Sequence, residues 1–175
     1  MADISKFKRA LTFIVPTLVL IGIDQWTKLL TLTKLKGSDP IVLIKNVLEL
    51  LYVENKGAAF GLMYGMKYIF VLLAAVITAA VFYMFMHMPS DKRFVPFDAA
   101  LIGVAAGAAG NVIDRLRLGY VVDFIYFKPI DFPVFNFADI CITGAAILII
   151  FLFLFVYKES DIQQIPFFGT KDHIK

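Results

Sequence analysis

The chain has 175 residues, of which 60% are hydrophobic and 18% are charged. Soluble domains carry about 45–50% apolar residues, so this composition indicates an integral membrane protein. The single cysteine excludes an internal disulfide, and the two histidines leave no His/Cys cluster for a metal. The net charge of +3, without a long basic run, gives no footprint for nucleic-acid binding.

Four apolar segments are long enough to cross a bilayer, which takes about 20 helical residues. They lie at about 11–30, 68–87, 99–118 and 140–157. The first resembles a secretory signal, but its apolar run is too long and no cleavage site follows, so we expect it to be retained. The sequence therefore predicts an all-α membrane protein with four transmembrane helices, in a single domain over residues 1–175.

The connection between the first two spans has a different character. It contains the stretch IVLIKNVLELLYVENKGAAFGL, which is rich in β-branched and aliphatic residues and closes with a glycine-bearing turn. This pattern predicts strands on the membrane surface, over about residues 40–62. The second and third spans are joined only by a short polar turn with prolines near both ends.

The basic residues alone do not decide the orientation, because they are divided almost evenly between the two faces. The first helix usually dominates, however, and Lys6, Lys8 and Arg9 precede it. We therefore expect the N-terminus in the cytoplasm. An even number of spans returns the C-terminus to the same side.

Ionisable residues in or beside the spans are candidates for function, because a charge inside the bilayer is costly. Asp24 and Lys28 share a helix face, so they form either a self-neutralising pair or a brace for another element. Asn111, Asp114 and Arg115 cluster at the end of the third span, which indicates a wet, structured site there. The third span also carries a row of small residues that predicts close helix packing: Ala99, Gly103, Ala106, Gly107 and Gly110.

Three aspartates recur between the third and fourth spans. Asp131 lies between two prolines, in a loop from which its carboxylate points into water. Asp123 follows the third span and Asp139 begins the fourth, so the two meet at the same membrane depth. A helix cap is the simpler interpretation of Asp139. Two nearby carboxylates in a poorly hydrated site, however, share a proton and can add water to a carbonyl, as in aspartic proteases.

Other hydrolytic chemistries lack their residues. No serine lies within a span and no HExxH sequence is present. Cys141 has no histidine within sequence reach, which leaves carboxylates as the candidate catalytic groups. Two further functions stay open: a proton-coupled transporter with a carboxylate relay, which the lack of an internal repeat disfavours, and a scaffold whose polar residues only fix helix register.

Four motifs occur in order: DQWTK at 24–28, ENKGAAFG at 54–61, AGAAGNVIDRLRLGYVVDF at 106–124 and FPVFNFADI at 132–140. With these motifs and four spans, the chain closely resembles the lipoprotein signal peptidases, or signal peptidase II, over about residues 10–157. The resemblance implies an aspartic endopeptidase of the bacterial inner membrane. Such an enzyme cleaves the signal peptide from diacylglyceryl-modified prolipoproteins, immediately before the lipidated cysteine.

The resemblance also implies the site and its surroundings. It assigns Asp123 and Asp139 as the catalytic pair and places them toward the periplasmic face, beneath a small sheet and a mobile segment from the first connection. We expect a monomer without metal or organic cofactor, whose partners are the prolipoprotein with its diacylglyceryl-cysteine and membrane lipids, and not nucleic acid. Supporting roles in positioning substrate or holding the pair are implied for Asp24, Lys28, Asn55, Gly57, Asn111, Asp114, Arg115, Asn136 and Ala138.

Overall fold

A computed structural model describes residues 2–57 and 67–169. Within these ranges, four helices are long and apolar enough to cross a membrane, and a three-stranded antiparallel sheet accompanies them. The predicted architecture of four apolar helices with a small sheet is thus confirmed. The elements in chain order are α1 (Ala2–Lys34), β1 (Ile41–Ile44), β2 (Leu48–Asn55), α2 (Lys67–His87), α3 (Val95–Arg117), β3 (Val121–Phe127), α4 (Phe137–Phe151) and α5 (Glu159–Ile162).

α1, α2 and α3 are longer than the apolar segments that predict them, whereas α4 begins before its predicted segment and ends within it. α1 extends beyond 11–30 at both ends, and α3 begins at Val95 rather than at residue 99. After α4 the chain continues as a wider helical turn over Leu152–Val156. Apolar segments measure only the hydrocarbon crossing, whereas backbone hydrogen bonding continues into the polar residues beyond it.

Two ion pairs, one near each end of the helices, show the relative direction of α1 and α3. Near the start of both helices, the Arg9 guanidinium lies 3.2 Å from the Asp98 carboxylate. Near their ends, the Lys28 ammonium lies 3.1 Å from the Asp114 carboxylate. The two helices are therefore parallel, and their final turns lie together at one end of the bundle.

The small residues of α3 pack against α4, as the sequence predicts. A Cβ on Gly103 would lie 3.3 Å from that of Ala145, and one on Gly107 would collide with the Ala138 carbonyl oxygen and with Ile142. The backbones of these antiparallel helices are thus in close contact. The contact brings the first turn of α4 beside the last turns of α3.

The sheet has the order β1-β2-β3. β1 and β2 come from the first connection, as predicted, while residues 58–62 of the predicted β region lie outside the described residues. β3 is not predicted from the sequence, because it follows the third span almost directly and is equally apolar. It pairs with β2, with Val53 opposite Asp123. A strand therefore carries Asp123, which fixes its side chain more firmly than a loop would.

The opposite end of the bundle is closed by an apolar cluster that includes Phe94, Phe97 and Tyr157. The C-terminal tail, uninformative as sequence, folds back onto this cluster. Ile165 of the tail is only 1% exposed, and the carboxylate of Asp161 accepts a 2.7 Å hydrogen bond from an arginine in the turn before α3. Apolar packing thus holds this end of the bundle together with two ion pairs, those of Arg9 with Asp98 and of Asp161 with the arginine before α3.

Candidate active site

Asn136 joins the two aspartates that the sequence brings to one depth. Its side-chain Nδ2 donates a hydrogen bond to Asp123 Oδ1 at 2.6 Å, and its backbone N–H donates to Asp139 Oδ2 at 3.1 Å. β3 supplies Asp123 and the first turn of α4 supplies Asp139. The two carboxylates therefore share one partner residue, which directly precedes α4.

The start of α4 explains the position of Asp139. Asn136 is the N-cap of this helix, and its Oδ1 accepts the backbone N–H of Asp139 at 3.1 Å. Together with the bond from the Asn136 backbone to Asp139, this reciprocal pair satisfies two donors that a helix start leaves free. The helix dipole also favours an anion in this turn. Asp139 is thus a helix-capping residue, and its Oδ1 is left for another partner.

Asp123 lies in a drier environment, with only 2% of the residue exposed. Asn55 on β2 donates to its Oδ2 at 2.8 Å. Burial raises the pKa of the Asp123 carboxyl to about 6, and the neighbouring Asp139 carboxylate adds to this rise. The amide donors on its two oxygens partly oppose the shift. Asp123 therefore retains a proton well above the pH at which an exposed aspartate loses it.

A buried ion cluster lies next to the two aspartates. Lys28 Nζ is 3.0 Å from Asp24 and 3.1 Å from Asp114, and each of the three residues is at most 2% exposed. Lys28 also donates to Asn111 Oδ1 at 2.9 Å, so its three N–H donors have three partners. Complete pairing of this kind is what makes a buried charge tolerable.

The carboxylates of the cluster also hold the backbone of the neighbouring elements. Asp24 Oδ1 accepts the Ala138 N–H at 3.0 Å, and Asp114 Oδ2 accepts the Val122 N–H at 3.0 Å. These backbone groups directly precede the two aspartates in the chain. Both interpretations of Asp24 therefore hold, since it pairs with Lys28 and also braces the start of α4.

Asn111 connects the ion cluster with the aspartates. Its Oδ1 accepts from Lys28 and, at 3.2 Å, from Asn136 Nδ2, while its own Nδ2 donates to Asp139 Oδ1 at 2.9 Å. Among the described residues, no buried side-chain nitrogen or oxygen lacks a hydrogen-bond partner. The network is therefore closed, which fixes the direction of each amide within it.

The other predicted site residues lie at the border of this network. Arg115 Nη1 donates to the Asn111 carbonyl at 3.3 Å, and its guanidinium lies 4.8 Å from the centre of the Phe70 ring. The Gly57 N–H donates to Asn55 Oδ1 at 3.3 Å. All the residues implied by the family resemblance are therefore brought into one connected region.

Asp131 and Gln25 lie outside the set of residues that the family resemblance implies. Asp131 is exposed and accepts a 2.6 Å hydrogen bond from Tyr126, so it is the loop residue that the sequence predicts. Gln25 is not predicted, yet its Nε2 donates to Asp24 Oδ2 and Asp114 Oδ1, each at 3.1 Å. Its signal was present in the sequence, because a second polar residue beside Asp24 in a span is itself unusual.

Carboxyl and amide groups dominate the chemistry that this site offers. Within residues 2–57 and 67–169, no three histidine, cysteine, aspartate or glutamate side chains come together as a metal site. Burial raises the pKa of the Asp123 carboxyl to about 6, so this group keeps its proton up to about that pH, and the Asp139 carboxyl lies beside it at a helix start. Such a pair can accept a proton from water and donate one to a carbonyl oxygen.

The sequence of the chain matches the profile of the signal peptidase (SPase) II family over residues 16–155. A lipoprotein signal peptidase of Halothermothrix orenii is 41% identical over 136 residues, which cover 77% of this chain and 90% of that protein. The lipoprotein signal peptidase of Clostridioides difficile is 38% identical over 148 residues, covering 84% and 98% of the two chains.

The fold matches solved structures as well. A bacterial membrane enzyme determined by the in meso method at 2.3 Å resolution superposes with a TM-score of 0.72 at 34% sequence identity, over 82% of this chain and 87% of that one. A second in meso structure of a bacterial membrane enzyme, at 1.9 Å, gives the same score and identity. The chain is a multi-pass membrane protein, and it belongs to the signal peptidase II family of aspartic peptidases.

Proposed function

We propose that the protein cleaves the signal peptide from diacylglyceryl-modified prolipoproteins, immediately before the lipidated cysteine. Its family and the names of its relatives support this substrate class. The observation that carries the chemistry is the pair of carboxylates, Asp123 and Asp139, held by the same asparagine, Asn136. In this proposal they form the catalytic dyad.

The two aspartates have different roles in the resting enzyme. Asp139 is the base, and it takes a proton from the attacking water. Asp123 is the acid, because burial raises its pKa to about 6, and in its protonated form it donates that proton to the carbonyl oxygen of the scissile peptide. The oxygen of the water bonds to the carbonyl carbon without a covalent enzyme intermediate.

Collapse of the resulting tetrahedral intermediate breaks the bond to the cysteine nitrogen. The proton taken up by Asp139 passes to the leaving amine, and Asp123 recovers its proton from the hydroxyl of the intermediate as the new carboxyl group forms. One water is consumed, and each carboxyl group ends in its starting state. The products are a signal peptide with a new C-terminus and a lipoprotein that begins with the lipidated cysteine.

The supporting residues position substrate and dyad. Asn55, Asn111 and Asn136 supply the donors that hold the dyad. In this proposal they also pair with the substrate backbone, which must unwind in an apolar setting where unpaired peptide groups are costly. An apolar cavity of about 490 Å³, to which α1, α2 and α3 each contribute side chains, offers room for apolar side chains of the signal helix.

Purified protein in detergent and a diacylglyceryl-modified prolipoprotein test this function. We expect wild type to cleave before the lipidated cysteine, Asp123→Asn and Asp139→Asn to retain the fold without turnover, and Asp131→Asn to cleave normally. Asp131 is the matched control because it lies in the same connection but is exposed. An inactive wild type, or turnover by both dyad variants, refutes the proposal.

We also propose that the protein lies in the bacterial inner membrane, with both termini in the cytoplasm and the dyad toward the periplasm. The basic residues before the first span support this orientation. In a Cys141→Ala background, Asp39→Cys and Ser160→Cys place single exposed thiols beyond opposite ends of the bundle. A membrane-impermeant maleimide applied to intact spheroplasts should label only Asp39→Cys; labelling of only Ser160→Cys indicates the reverse orientation.

A further inference from the structure

An apolar groove begins at Asp139 and follows the outer face of α4. The groove has a volume of about 480 Å³, and α4 lines it with Asp139, Thr143, Gly144 and Ile147, among others. These positions recur at three- and four-residue steps, so they form one stripe of the helix. The stripe leads from the dyad toward the opposite membrane surface.

Gly144 makes the groove deep at its middle. A Cβ built on this glycine meets no atom within 4 Å, so the space above it is open. Large apolar neighbours, by contrast, project from the same face of α4, including Ile147 and Ile140. A glycine between larger side chains leaves a notch in a helix surface, and no packing against another part of the described protein accounts for this one.

Two aromatic side chains form the wall of the groove beside the dyad. Phe132 and Phe135 line it from the segment between β3 and α4, and their rings meet edge to face at 5.8 Å. Phe135 is held in place by the sheet, because its carbonyl accepts the N–H of Ile125 at 2.8 Å. The groove thus has a preformed wall at the end where Asp139 lies.

The size and chemistry of the groove fit a hydrocarbon chain. Its lining is apolar except for the Asp139 carboxylate at one end and the Thr143 hydroxyl. If a methylene group is given roughly the 30 Å³ that one water molecule takes up in the liquid, the groove of about 480 Å³ corresponds to about 16 carbons. That number corresponds to one common lipid acyl chain.

We propose that this groove holds one acyl chain of the diacylglyceryl group on the substrate cysteine. The inference rests on the proposed function, in which the bond before that cysteine is cleaved. The cysteine side chain is only a few bonds from the carbonyl carbon that water attacks, so its glyceryl group must lie beside the dyad. The end of the groove at Asp139 is where a chain leaving that glyceryl group enters.

Positioning is the benefit that the groove offers. An acyl chain that leaves lipid for an apolar groove gains no hydrophobic free energy, because lipid is equally apolar. The groove instead fixes the lipid anchor relative to the dyad, and a displacement of about 1 Å at a reacting group can lower a rate about a hundredfold. In this proposal Gly144 makes the rate of cleavage depend on the length of the acyl chain.

Filling the notch tests this proposal. Gly144→Leu blocks the middle of the groove, and Gly22→Leu is the matched control, because Gly22 is also an exposed glycine of a spanning helix with no atom within 4 Å of a Cβ. The substrates are one prolipoprotein carrying either dipalmitoylglyceryl or dioctanoylglyceryl groups. We expect Gly144→Leu to lower kcat/KM for the long-chain substrate by about tenfold or more, and to lower kcat/KM for the short-chain substrate much less. The melting temperatures of Gly144→Leu and Gly22→Leu should be equal.

The outcomes separate this inference from the proposed function. Cleavage of both substrates by wild type supports the function, whichever result the variant gives. Equal kcat/KM for Gly144→Leu and Gly22→Leu on the long-chain substrate means that bulk lipid fills the groove, and it overturns the inference. An equal loss on both substrates places the peptide, and not the acyl chain, at Gly144, and overturns it too.

Discussion

Lys28 and Asn111 meet at 2.9 Å, and this contact determines which way the Asn111 amide faces. An ammonium can only donate, so it must meet the amide oxygen. The amide nitrogen is therefore turned toward Asp139, to which it donates at 2.9 Å. Lys28 contacts neither aspartate of the proposed dyad, yet it orients the Asn111 amide that donates a hydrogen bond to Asp139.

Replacing Lys28 should lower the stability of the fold and not only the rate of cleavage. Lys28→Met leaves Asp24 and Asp114 as unpaired buried charges, which costs about 3–5 kcal/mol of stability. Thermal unfolding in detergent measures this loss. Lys36→Met is the control, because Lys36 pairs with Glu54 while half exposed, and its melting temperature should stay near that of wild type.

A second substitution can show whether Lys28→Met loses stability through unpaired charges or through lost packing. Adding Asp114→Asn to Lys28→Met removes one of the two stranded charges, so the double variant should melt at a higher temperature than Lys28→Met alone. A double variant that is no more stable than the single one would contradict the charge argument. Activity should stay low in both, because Asn111 no longer has a fixed direction.

Asn136 combines two functions that one substitution can separate. Asn136→Ser retains an N-cap oxygen for α4 but loses the Nδ2 donor to Asp123. We expect a fall in kcat of about a hundredfold, because Asp123 loses one of its two amide donors, and a stability higher than that of Asn136→Ala, which loses the N-cap oxygen as well. Asn136→Ala should lose activity and also about 1 kcal/mol of stability. Equal melting temperatures for the serine and alanine variants would refute the separation.

The pKa of Asp123 predicts the pH dependence of cleavage. Burial raises this pKa to about 6, so the proton that the acid donates is present below that pH and is lost above it. In the free enzyme, kcat/KM should fall about tenfold per pH unit well above pH 6. The dyad titrates as a pair, so the profile reports the pair rather than one residue.

A variant of Asn55 gives the sign of that dependence. Asn55 donates to the anionic form of Asp123 and thereby lowers the pKa of this carboxyl. Asn55→Leu removes that donor, so the pKa should rise and the decline in kcat/KM should move to higher pH, whatever the absolute rate. A shift to lower pH, or an unchanged profile, would show that Asp123 is not the acid.

Even the small substitution Gly110→Ala should destabilise the protein. A Cβ there would collide with the Asp24 carboxylate, which is held by Lys28 and by the start of α4. Gly110→Ala should therefore lower stability by about 1–3 kcal/mol and reduce activity. Gly22→Ala lies in open space and should raise stability by up to about 1 kcal/mol, since alanine favours helix. A stabilising Gly110→Ala would contradict the close contact.

Hydrophobicity along the chain is enough to predict the membrane architecture and to mark the residues of interest. Hydrophobic length predicts spans because crossing lipid requires enough apolar helix, whatever the rest of the chain does. Charged and amide residues in such segments are conspicuous because each is costly there, which is why Asp24, Lys28 and Asn111 are recognisable without coordinates. The membrane depth shared by Asp123 and Asp139 follows from the same argument.

The connections among these residues, by contrast, depend on how the helices and strands pack. β3 exists because β2 pairs with it, and pairing between strands from distant parts of the chain leaves little local signal in an apolar stretch. The direction of the Asn111 amide, and the role of Gln25 between two carboxylates, depend on which side chains meet across helices. The sequence specifies which polar groups enter the membrane, whereas helix packing specifies their partners, because a buried polar group must find its hydrogen bonds in three dimensions.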